Sequence, residues 1–402
     1  MYKKRTIIVA GAGVAGLSAA LLLANNGFRI IVLERSGNID QAGVGIQLSP
    51  NATHILDKLG LTRQLAAAAF APKNIVIKKG ASGRVLSEFP LGDEMVDRYG
   101  APYLVLHRAD LANLLLNACN DHPDINVHFD TTLEDAAMHA NGVTVMGMNS
   151  GKMIEYLGIA LIGADGGRSN VRSRIIGSDG AVSSGDIAWR TLIPIEQVPK
   201  GISKLDTTLW MGKSGHIVSY PVRGSRHFNV VAITPQSCAS NITHRTHEAG
   251  GDKLLEFFSK WDSDVIQLLG STPHWQGWPL NQINPAGNWV RGSTVLIGDA
   301  AHAMLPYAAQ GGAAAIEDAA MLAACVSKRS DDLPTAFSNY EKLRKPRATK
   351  IWQLARQNQK IYHLGGPAAG VRNIVLNNTS VESLYKRFDW LYGWKIQDFA
   401  KA

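Results

Sequence analysis

The first 33 residues alternate between apolar and glycine-rich stretches in a pattern that predicts two strands joined by a helix. Apolar, largely β-branched residues fill 6–10, glycines cluster in 11–16, an apolar helical run covers 17–25, and a second strand pattern covers 29–33. Short β-branched runs next to glycine are typical of buried strands, and the longer run between them is typical of a helix. The chain therefore opens with a β-α-β unit.

Further strands and helices follow, and their order changes in the middle of the chain. Strand patterns occur at 127–129, 143–146, 159–162, 217–222, 228–233 and 294–297, and helical patterns at 111–118, 254–261 and 313–326. Residues 181–284 are richer in strands and tryptophan and do not alternate strand with helix. This change predicts a separate, sheet-rich region. After Pro346 the pattern is again mainly helical, to about Tyr362.

The glycines of the opening unit have a spacing with a specific use. Gly11, Gly13 and Gly16 form Gly-x-Gly-x-x-Gly, and Glu34 ends the second strand. The first glycine permits a tight turn, the second lets a pyrophosphate approach the backbone, and the third allows close packing of helix on strand. The helix N-terminus attracts phosphate, and the acid can accept hydrogen bonds from ribose hydroxyls. The motif predicts a dinucleotide site but does not distinguish FAD from NAD.

Two more glycine-rich turns, each after an apolar strand, favour a flavin. Asp165 lies in the first turn, Asp299 lies in the second, and the turn Gln310–Gly312 precedes a helix. An aspartate at a strand end can accept hydrogen bonds from a ribityl chain, and backbone N–H groups can face the electron-rich edge of a flavin. Either segment alone is equally well explained as an ordinary turn. Both together indicate a flavin site.

On these motifs the sequence resembles the class A flavoprotein aromatic hydroxylases, FAD-dependent monooxygenases that include salicylate hydroxylase and para-hydroxybenzoate hydroxylase. The resemblance covers about the first 350 residues, and it rests on the opening glycine motif with Glu34 and on residues 106–111, 163–172 and 298–319. Segments 43–51 and 188–190 are similar to the salicylate-hydroxylase-like branch in particular.

The resemblance implies an α/β fold in which a Rossmann-like FAD-binding domain is assembled from discontinuous segments, 1–75, 100–180 and 285–350. An inserted, mainly antiparallel substrate-binding sheet would come from 76–99 and 181–284, and 351–402 would form a C-terminal helical segment. It also implies non-covalent FAD, with NAD(P)H as a transient co-substrate that docks in a cleft.

The residues that the resemblance implies for FAD binding come from all of these motifs. Glu34 and Arg108 would hold the nucleotide and ribityl portion, and Asp299 the ribityl hydroxyls. Pro306 and the turn Gln310–Gly312 would flank the isoalloxazine. Asp165 belongs to a motif that family members use for both FAD and NAD(P)H. The full set is Gly11, Gly13, Gly16, Glu34, Arg35, Gln47, Arg108, Asp165, Gly166, Gly298, Asp299, Pro306, Gln310, Gly311 and Gly312.

The implied activity is hydroxylation of a phenolic or aromatic-acid substrate with NAD(P)H and O2, through a flavin C4a-hydroperoxide. Deprotonating a phenol raises its nucleophilicity, so we expect a titratable group beside the substrate. Strand alternation in 215–221 places His216, Val218 and Tyr220 on one face. His216 and Tyr220 are therefore the candidate catalytic and substrate-binding residues, and a structural role for a single histidine remains an alternative.

Other side chains are candidates for the pocket by position. Arg190 is expected either to pair with a substrate carboxylate or to form a structural ion pair. Tyr307 and Gln47 are candidate wall residues, and His302 is expected to pack beside the cofactor and not to act as the base. No metal-binding motif is present, so no metal is expected.

Charge and cysteine content bear on the binding partners and the cellular compartment of the protein. The 402 residues carry a net charge of +8, and the basic cluster at 342–350 is expected to be a solvated helix face and not a nucleic-acid site. Cys119, Cys238 and Cys325 form no CxxC pair, which favours the cytoplasm. No transmembrane segment is expected, and the chain is expected to be a monomer or homodimer. The open alternatives are an FAD oxidoreductase without hydroxylation and a hydroxylase of a quinone precursor or heteroaromatic ring.

Overall fold

The structure is a computed structural model that describes residues 5–39 and 45–397. Its strands are β1 (Thr6–Ala10), β2 (Arg29–Leu33), β3 (Gly45–Leu48), β4 (Asn74–Lys79), β5 (Val85–Pro90), β6 (Leu104–His107), β7 (Ile125–His128), β8 (Thr131–His139), β9 (Gly142–Asn149), β10 (Lys152–Gly158), β11 (Ala160–Gly163), β12 (Val182–Pro194), β13 (Thr207–Gly212), β14 (Gly215–Val222), β15 (His227–Pro235), β16 (Thr246–Gly250), β17 (His274–Gln282), β18 (Val290–Arg291) and β19 (Thr294–Leu296).

The helices are numbered in chain order as well. They are α1 (Val14–Asn25), α2 (Pro50–Lys58), α3 (Thr62–Ala68), α4 (Gly92–Tyr99), α5 (Arg108–Asn120), α6 (Asp252–Phe258), α7 (Ser263–Gly270), α8 (Asp299–His302), α9 (Gly311–Lys328), α10 (Leu333–Tyr362), α11 (Gly366–Asn378) and α12 (Val381–Tyr392). Among the described residues, none of these helices is both long and apolar enough to cross a membrane.

A six-stranded sheet contains the opening β-α-β unit. Its strand order is β18-β19-β11-β1-β2-β7, and all neighbouring strands are parallel except β18 and β19. Ile7, Ile8 and Val9 of β1 are fully buried, as an uninterrupted apolar run predicts for a parallel strand covered on both faces. Helix α1 packs against α5 and α9. The predicted Rossmann-like part of the fold is confirmed.

An eight-stranded sheet forms the second layer. Its order is β16-β17-β12-β15-β14-β13-β4-β5, and only β13 and β4 are parallel neighbours. Strands β4 and β5 and the strands of 182–282 therefore share one sheet, although about 90 residues separate them, as the predicted insertion requires. Trp189, Trp210 and Trp275 are buried with the apolar sides of α6 and α7 in the core of this layer. The tryptophan-rich composition of the region thus reflects its own core.

Two smaller sheets complete the strand arrangement. Strands β8, β9 and β10 form an antiparallel sheet. Strands β3 and β6 pair antiparallel at the two ends of the segment that contributes β4 and β5 to the larger sheet. This pairing brings the two ends of that segment together and holds Gln47 close to the eight-stranded sheet.

The C-terminal part is helical, as expected. Helix α10 runs without interruption through Pro346, and its N-terminus is capped by the Asp332 carboxylate, which accepts from the Thr335 N–H at 3.2 Å. The helix packs against α9 and against the turn that begins at Pro306. The boundary proposed at residue 350 falls inside this helix. The division of the chain into separate domains stays a prediction.

Candidate active site

One cavity lies between the six-stranded and the eight-stranded sheets, and it collects most of the candidate residues. The first layer contributes Gly13, Val14, Ala15, Gly45, Ile46, Gln47, Arg108, Ala164, Gly166, Asp299, Met304, Leu305, Pro306, Ala309, Gly311, Gly312 and Ala315, and the second Arg190, His216, Val218, Tyr220, Val231 and Ile233. The cavity therefore connects the nucleotide-type glycine turn with the candidate catalytic strand.

The three opening glycines occupy different environments, as their spacing predicts. Gly11 has φ +108°, and a Cβ there would lie 2.4 Å from the Ala164 carbonyl oxygen. A Cβ on Gly16 would lie 1.9 Å from the Gly11 carbonyl oxygen. Gly13 has no heavy atom within 4 Å of its Cβ position, and it lines the cavity. The turn is therefore closed by backbone contacts at two positions and open at the one where a pyrophosphate is expected to approach.

Glu34 is held beside this turn. Its carboxylate accepts hydrogen bonds from the N–H of Ala12 at 2.8 Å and of Ser36 at 2.9 Å. The next residue, Arg35, is exposed, and neither side chain lines the cavity. Glu34 thus lies where a ribose at the end of β2 would reach it, whereas the structure does not bring Arg35 to the site.

Asp165 differs from the expectation. One carboxylate oxygen accepts from the Ser169 hydroxyl at 2.5 Å, and the other from the N–H groups of Asn170 at 2.7 Å and Val171 at 3.1 Å. Burial raises the pKa of this carboxyl, against these hydrogen bonds. Its carboxylate therefore caps the turn that follows, and Gly166 lines the cavity instead. The signal was available, because an aspartate in a glycine-rich turn commonly hydrogen bonds to nearby backbone N–H groups.

The turn after α8 lines the cavity through its backbone. Pro306, Gly311 and Gly312 are cavity residues, and a Cβ on Gly311 would meet no heavy atom within 4 Å. The Gln310 side chain is not a cavity residue, because its amide donates to the Ser49 hydroxyl at 2.8 Å and accepts from Asn51 at 3.2 Å. The Gln310 side chain therefore points away from the cavity, and the contact expected between this turn and a flavin is one of backbone N–H groups.

Asp299 and Gly298 occupy the strand end that was expected to hold a ribityl chain. Asp299 begins α8 and lines the cavity. Gly298 has φ +59°, and a Cβ there would lie 2.8 Å from the Ala15 methyl. Its N–H donates to the Asp318 carboxylate at 2.8 Å. Gly298 therefore shapes the turn that presents Asp299.

A buried ion network supports this turn, and the sequence analysis missed it. Arg344 donates to Glu317 at 2.6 Å and to Asp318 at 2.8 Å, Arg347 donates to Glu317 at 2.7 Å, and His302 lies 2.5 Å from Asp318. The expectation of a solvated basic face is wrong for Arg344, which is fully buried, and for Arg347, which is largely buried. Two adjacent acids inside the apolar α9 pattern were the available signal, because a buried carboxylate needs a partner.

The expected face of β14 is confirmed by the cavity. His216, Val218 and Tyr220 all line it. Burial, and then the neighbouring His363, lower the pKa of His216 well below its usual value, so the ring is neutral at pH 7. Burial raises the pKa of Tyr220, whose ring also approaches the backbone of Gly45 closely. Two neutral side chains that can exchange hydrogen bonds with a phenol therefore share one wall.

Gln47 lies beside Tyr220, with which its side chain forms a hydrogen bond. Its side-chain oxygen accepts from the Tyr103 hydroxyl at 2.5 Å. Residues 43 and 44 of the segment predicted to lie near the flavin are outside the described residues. The described part of that segment therefore places Gln47 in the cavity, as expected.

Arg190 is partly buried, and it is the less exposed of the two cations that line the cavity. Its Nε has no hydrogen-bond partner, and none of the ion pairs between described residues includes it. Its guanidinium carbon lies 4.9 Å from the centre of the Trp278 ring. Burial, together with the charges of Arg108 and Arg245, lowers its pKa to about 10, and Tyr220 opposes this effect. Such a cation is stabilised by an anion that enters the cavity.

Tyr307 does not line the cavity, contrary to expectation. Its hydroxyl donates to the Asp186 carboxylate, and its ring packs 4.9 Å from the His216 ring. The 3-10 turn that begins at Pro306 directs this side chain between β12 and α10, where the larger sheet supplies a carboxylate partner. Tyr307 is therefore a neighbour of His216 and not a cavity wall.

The residues present fit FAD. An open glycine turn at the N-terminus of α1, the cation Arg108 and the carboxylate Asp299 line one continuous cavity with the exposed backbone of Gly311. Helix N-termini with open glycines suit phosphates, and a strand-end carboxylate suits sugar hydroxyls. Fold and site together define a flavin-dependent oxidoreductase.

Comparison with known proteins agrees with this class. The sequence model of a family described as FAD binding domain matches residues 4–355. The chain is 35% identical to 3-hydroxybenzoate 6-hydroxylase 1 of Aquipseudomonas alcaligenes, over 96% of this chain and 97% of that protein. The chain therefore belongs to the FAD binding domain family, and it is an FAD-dependent aromatic hydroxylase that uses NAD(P)H.

Solved structures share the fold along nearly the whole chain. A salicylate hydroxylase in complex with substrate superposes with a TM-score of 0.82 at 21% identity, over 100% of this chain and 98% of that one. Klebsiella pneumoniae HpxO, complexed with FAD and uric acid, also has a TM-score of 0.82, at 24% identity and over 95% of each chain. The α/β architecture with C-terminal helices is thus that of salicylate hydroxylase.

Proposed function

We propose that this enzyme hydroxylates a phenolic aromatic acid and that Arg190 binds the carboxylate of that acid. The observation that carries the proposal is a guanidinium that lines the cavity, with a buried Nε that has no hydrogen-bond partner and no acidic partner among the described residues. A planar guanidinium matches a carboxylate through two parallel hydrogen bonds. The name of the 3-hydroxybenzoate 6-hydroxylase relative describes an acid of this class.

His216 is proposed as the base for the phenol. It shares the cavity with Arg190, and a neutral imidazole can accept a proton from a phenol as the ring is activated. Tyr220 lies on the same strand as His216, two strands from Arg190, and it is close enough to Arg190 for the charge of Arg190 to lower its pKa against burial. Tyr220 would therefore hydrogen bond to the substrate and orient it.

On the cofactor side of the cavity, different residues are proposed to bind different parts of FAD. We assign the diphosphate to the turn at Gly11–Gly16, the ribose to Glu34, the ribityl chain to Arg108 and Asp299, and the ring system to Pro306–Gly312. Bound FAD, once reduced by NAD(P)H, supplies the activated oxygen that is transferred to the substrate ring. The apolar side chains between the sheets exclude water from that transfer.

The test compares the turnover of a phenolic acid with the turnover of phenol, which has the same ring but no carboxylate. We expect wild type to form product from 3-hydroxybenzoate or salicylate, measured per NAD(P)H consumed, and to use phenol poorly. Arg190→Gln should raise KM for the acid by about 10- to 100-fold, since a hydrogen bond to a charged group contributes roughly 1.5–3 kcal/mol, and should leave phenol unaffected. Arg190→Lys should recover part of the loss.

The control is Arg84→Gln, which removes an exposed arginine next to β5 of the same sheet. This variant should behave as wild type with both substrates. Equal losses on the acid and on phenol in Arg190→Gln would show that Arg190 supports the fold and does not bind a carboxylate. Failure of the wild type to hydroxylate any phenolic acid would refute the proposed substrate class.

A further inference from the structure

A second histidine contacts the candidate base. The His363 Nε2 lies 2.9 Å from the His216 Nδ1, which is hydrogen-bond distance. The two residues are 147 positions apart, one on β14 and the other directly after α10. The pair therefore forms only when the C-terminal helix packs on the eight-stranded sheet.

The backbone holds His363 in place from two sides. Its N–H donates to the Gln359 carbonyl at 3.3 Å, and its carbonyl accepts from the Ser214 N–H at 3.1 Å. The Tyr362 ring lies 5.4 Å from the His216 ring, and the Tyr307 ring lies 5.6 Å from the His363 ring. The imidazole is thus fixed by an aromatic enclosure and by both of its own peptide groups.

The two rings differ in how well they tolerate charge. Burial lowers the pKa of both, so both are neutral at pH 7. The Asp186 carboxylate, which accepts from the Gln359 amide at 2.6 Å, opposes this effect at His363. His216 is 3% exposed, whereas His363 is partly exposed. A proton taken up in the cavity is therefore better accommodated on the outer ring.

We propose that His363 is a positioning residue that relays the substrate proton from His216 to solvent. This inference rests on the proposed function of His216. The substrate O–H gives its proton to the His216 Nε2 while the His216 Nδ1 proton passes to the His363 Nε2, and the His363 Nδ1 then releases a proton to water. No net charge stays on the buried pair. The same path runs in reverse when the product hydroxyl is protonated again.

Other charged or titratable groups around the pair do not offer the same route. Asp186 already accepts from Tyr307 and Gln359, the Tyr362 hydroxyl donates to the Tyr307 carbonyl, and Arg372 donates to the carbonyls of Ile361 and Tyr362. These groups are engaged in fixed hydrogen bonds. His363 is the side chain that connects the buried His216 to the partly exposed end of α10.

The decisive variant is His363→Gln, because glutamine can still hydrogen bond to His216 but cannot carry a proton. With the phenolic acid that the wild type hydroxylates at the highest coupling, we expect the rate at pH 7 to fall at least about 10-fold, less than the roughly 10² expected for His216→Ala. FAD content and substrate Kd should stay within about twofold of wild type. The rate should recover as pH rises, since more substrate then enters already ionised.

A spectroscopic readout and a rescue separate relay from structural support. Ultraviolet difference spectra of the bound acid should show less phenolate in His363→Gln than in wild type at the same pH. Added imidazole should partly restore the rate of His363→Ala and should not change Lys360→Gln, the control at an exposed position of the same helix turn. The loss of phenolate signal and the rescue by imidazole are both expected if His363 transfers a proton, and neither is expected if His363 only packs against its neighbours.

The outcomes distinguish the relay from the function on which it rests. If His216→Ala is impaired and His363→Gln matches wild type in rate, pH profile and phenolate signal, the relay is wrong and the base assignment stands. If His216→Ala hydroxylates normally, or if the wild type hydroxylates no phenolic acid, the proposed function fails and the relay fails with it. A loss of FAD or of folding in His363→Gln would show a structural role.

Discussion

Substitutions at two glycines of the opening turn should affect different properties of the protein, one its stability and the other its affinity for FAD. In Gly16→Ala the new methyl would lie 1.9 Å from the Gly11 carbonyl oxygen, where a carbon and an oxygen need roughly 3.3 Å. The Gly11 N–H is itself bound to the Leu33 carbonyl at 2.8 Å. The turn and helix α1 must therefore separate by more than about 1 Å, against a hydrogen bond that holds the turn to β2.

The expected cost follows from two opposing effects. Overpacking costs about 1–3 kcal/mol, and a clash with backbone belongs at the upper end of that range. Alanine in place of glycine within a helix stabilises the helix by about 1 kcal/mol, because alanine has the higher helix propensity. The net loss in the free energy of unfolding is therefore about 2 kcal/mol, which corresponds to a Tm decrease of roughly 2–3 °C if the chain unfolds as one unit.

Gly13→Ala is the matched control. Its Cβ meets no heavy atom within 4 Å, so stability of the apoprotein should change by less than about 0.5 kcal/mol. The same methyl should weaken FAD binding at least about 10-fold, because it occupies the space that a diphosphate would need. Thermal unfolding of apoprotein and fluorescence titration with FAD measure the two effects separately, which matters because bound FAD itself raises Tm.

Two results would refute this reasoning. Apoprotein destabilised equally by both substitutions would mean that Gly13 is also a packing position. Normal stability of Gly16→Ala would mean that the close approach of the turn to α1 does not constrain folding.

The ion network and Asp299 yield further predictions. Arg344→Met should cost about 3–5 kcal/mol of stability in thermal unfolding, because it leaves Glu317 and Asp318 charged and buried, whereas Lys342→Met on the exposed face should cost little. Burial raises the pKa of both carboxyls, but the partner cations outweigh it, so each pKa is lowered. Wild-type stability should therefore decrease as pH falls below about 4, and Arg344→Met, whose carboxyls have lost one partner cation, should lose less stability over the same pH range. Asp299→Ala should be purified largely without FAD, by absorbance near 450 nm, and stoichiometric FAD would contradict its role.

Local requirements of the backbone could be predicted from the sequence. The turn at Gly11, the open position at Gly13 and the shared face of His216 and Tyr220 depend on residues within a few positions of each other. Glycine spacing and strand alternation express those requirements directly. The family motifs added the second sheet and the cofactor.

Partners of buried side chains could not be predicted in this way. The sequence placed Asp165 at the cofactor, whereas its carboxylate caps the turn beside it. It placed Tyr307 on the cavity wall, whereas the hydroxyl donates to Asp186 on β12. Arg344 was expected in solvent, although it is buried with Glu317. Each error concerns the direction in which a side chain points once two elements pack together.

The sequence by itself determined the nucleotide-type turn, the strand that carries His216 and the family to which the chain belongs. Only the tertiary structure decided that the Arg190 Nε is buried, that Arg190 has no acidic partner among the described residues, and that His363 reaches His216. The reason is the range of the interactions. A turn or an alternating strand is specified within a few residues, whereas the charge balance of a cavity depends on side chains from elements more than a hundred residues apart, which meet only when the sheets and helix α10 pack.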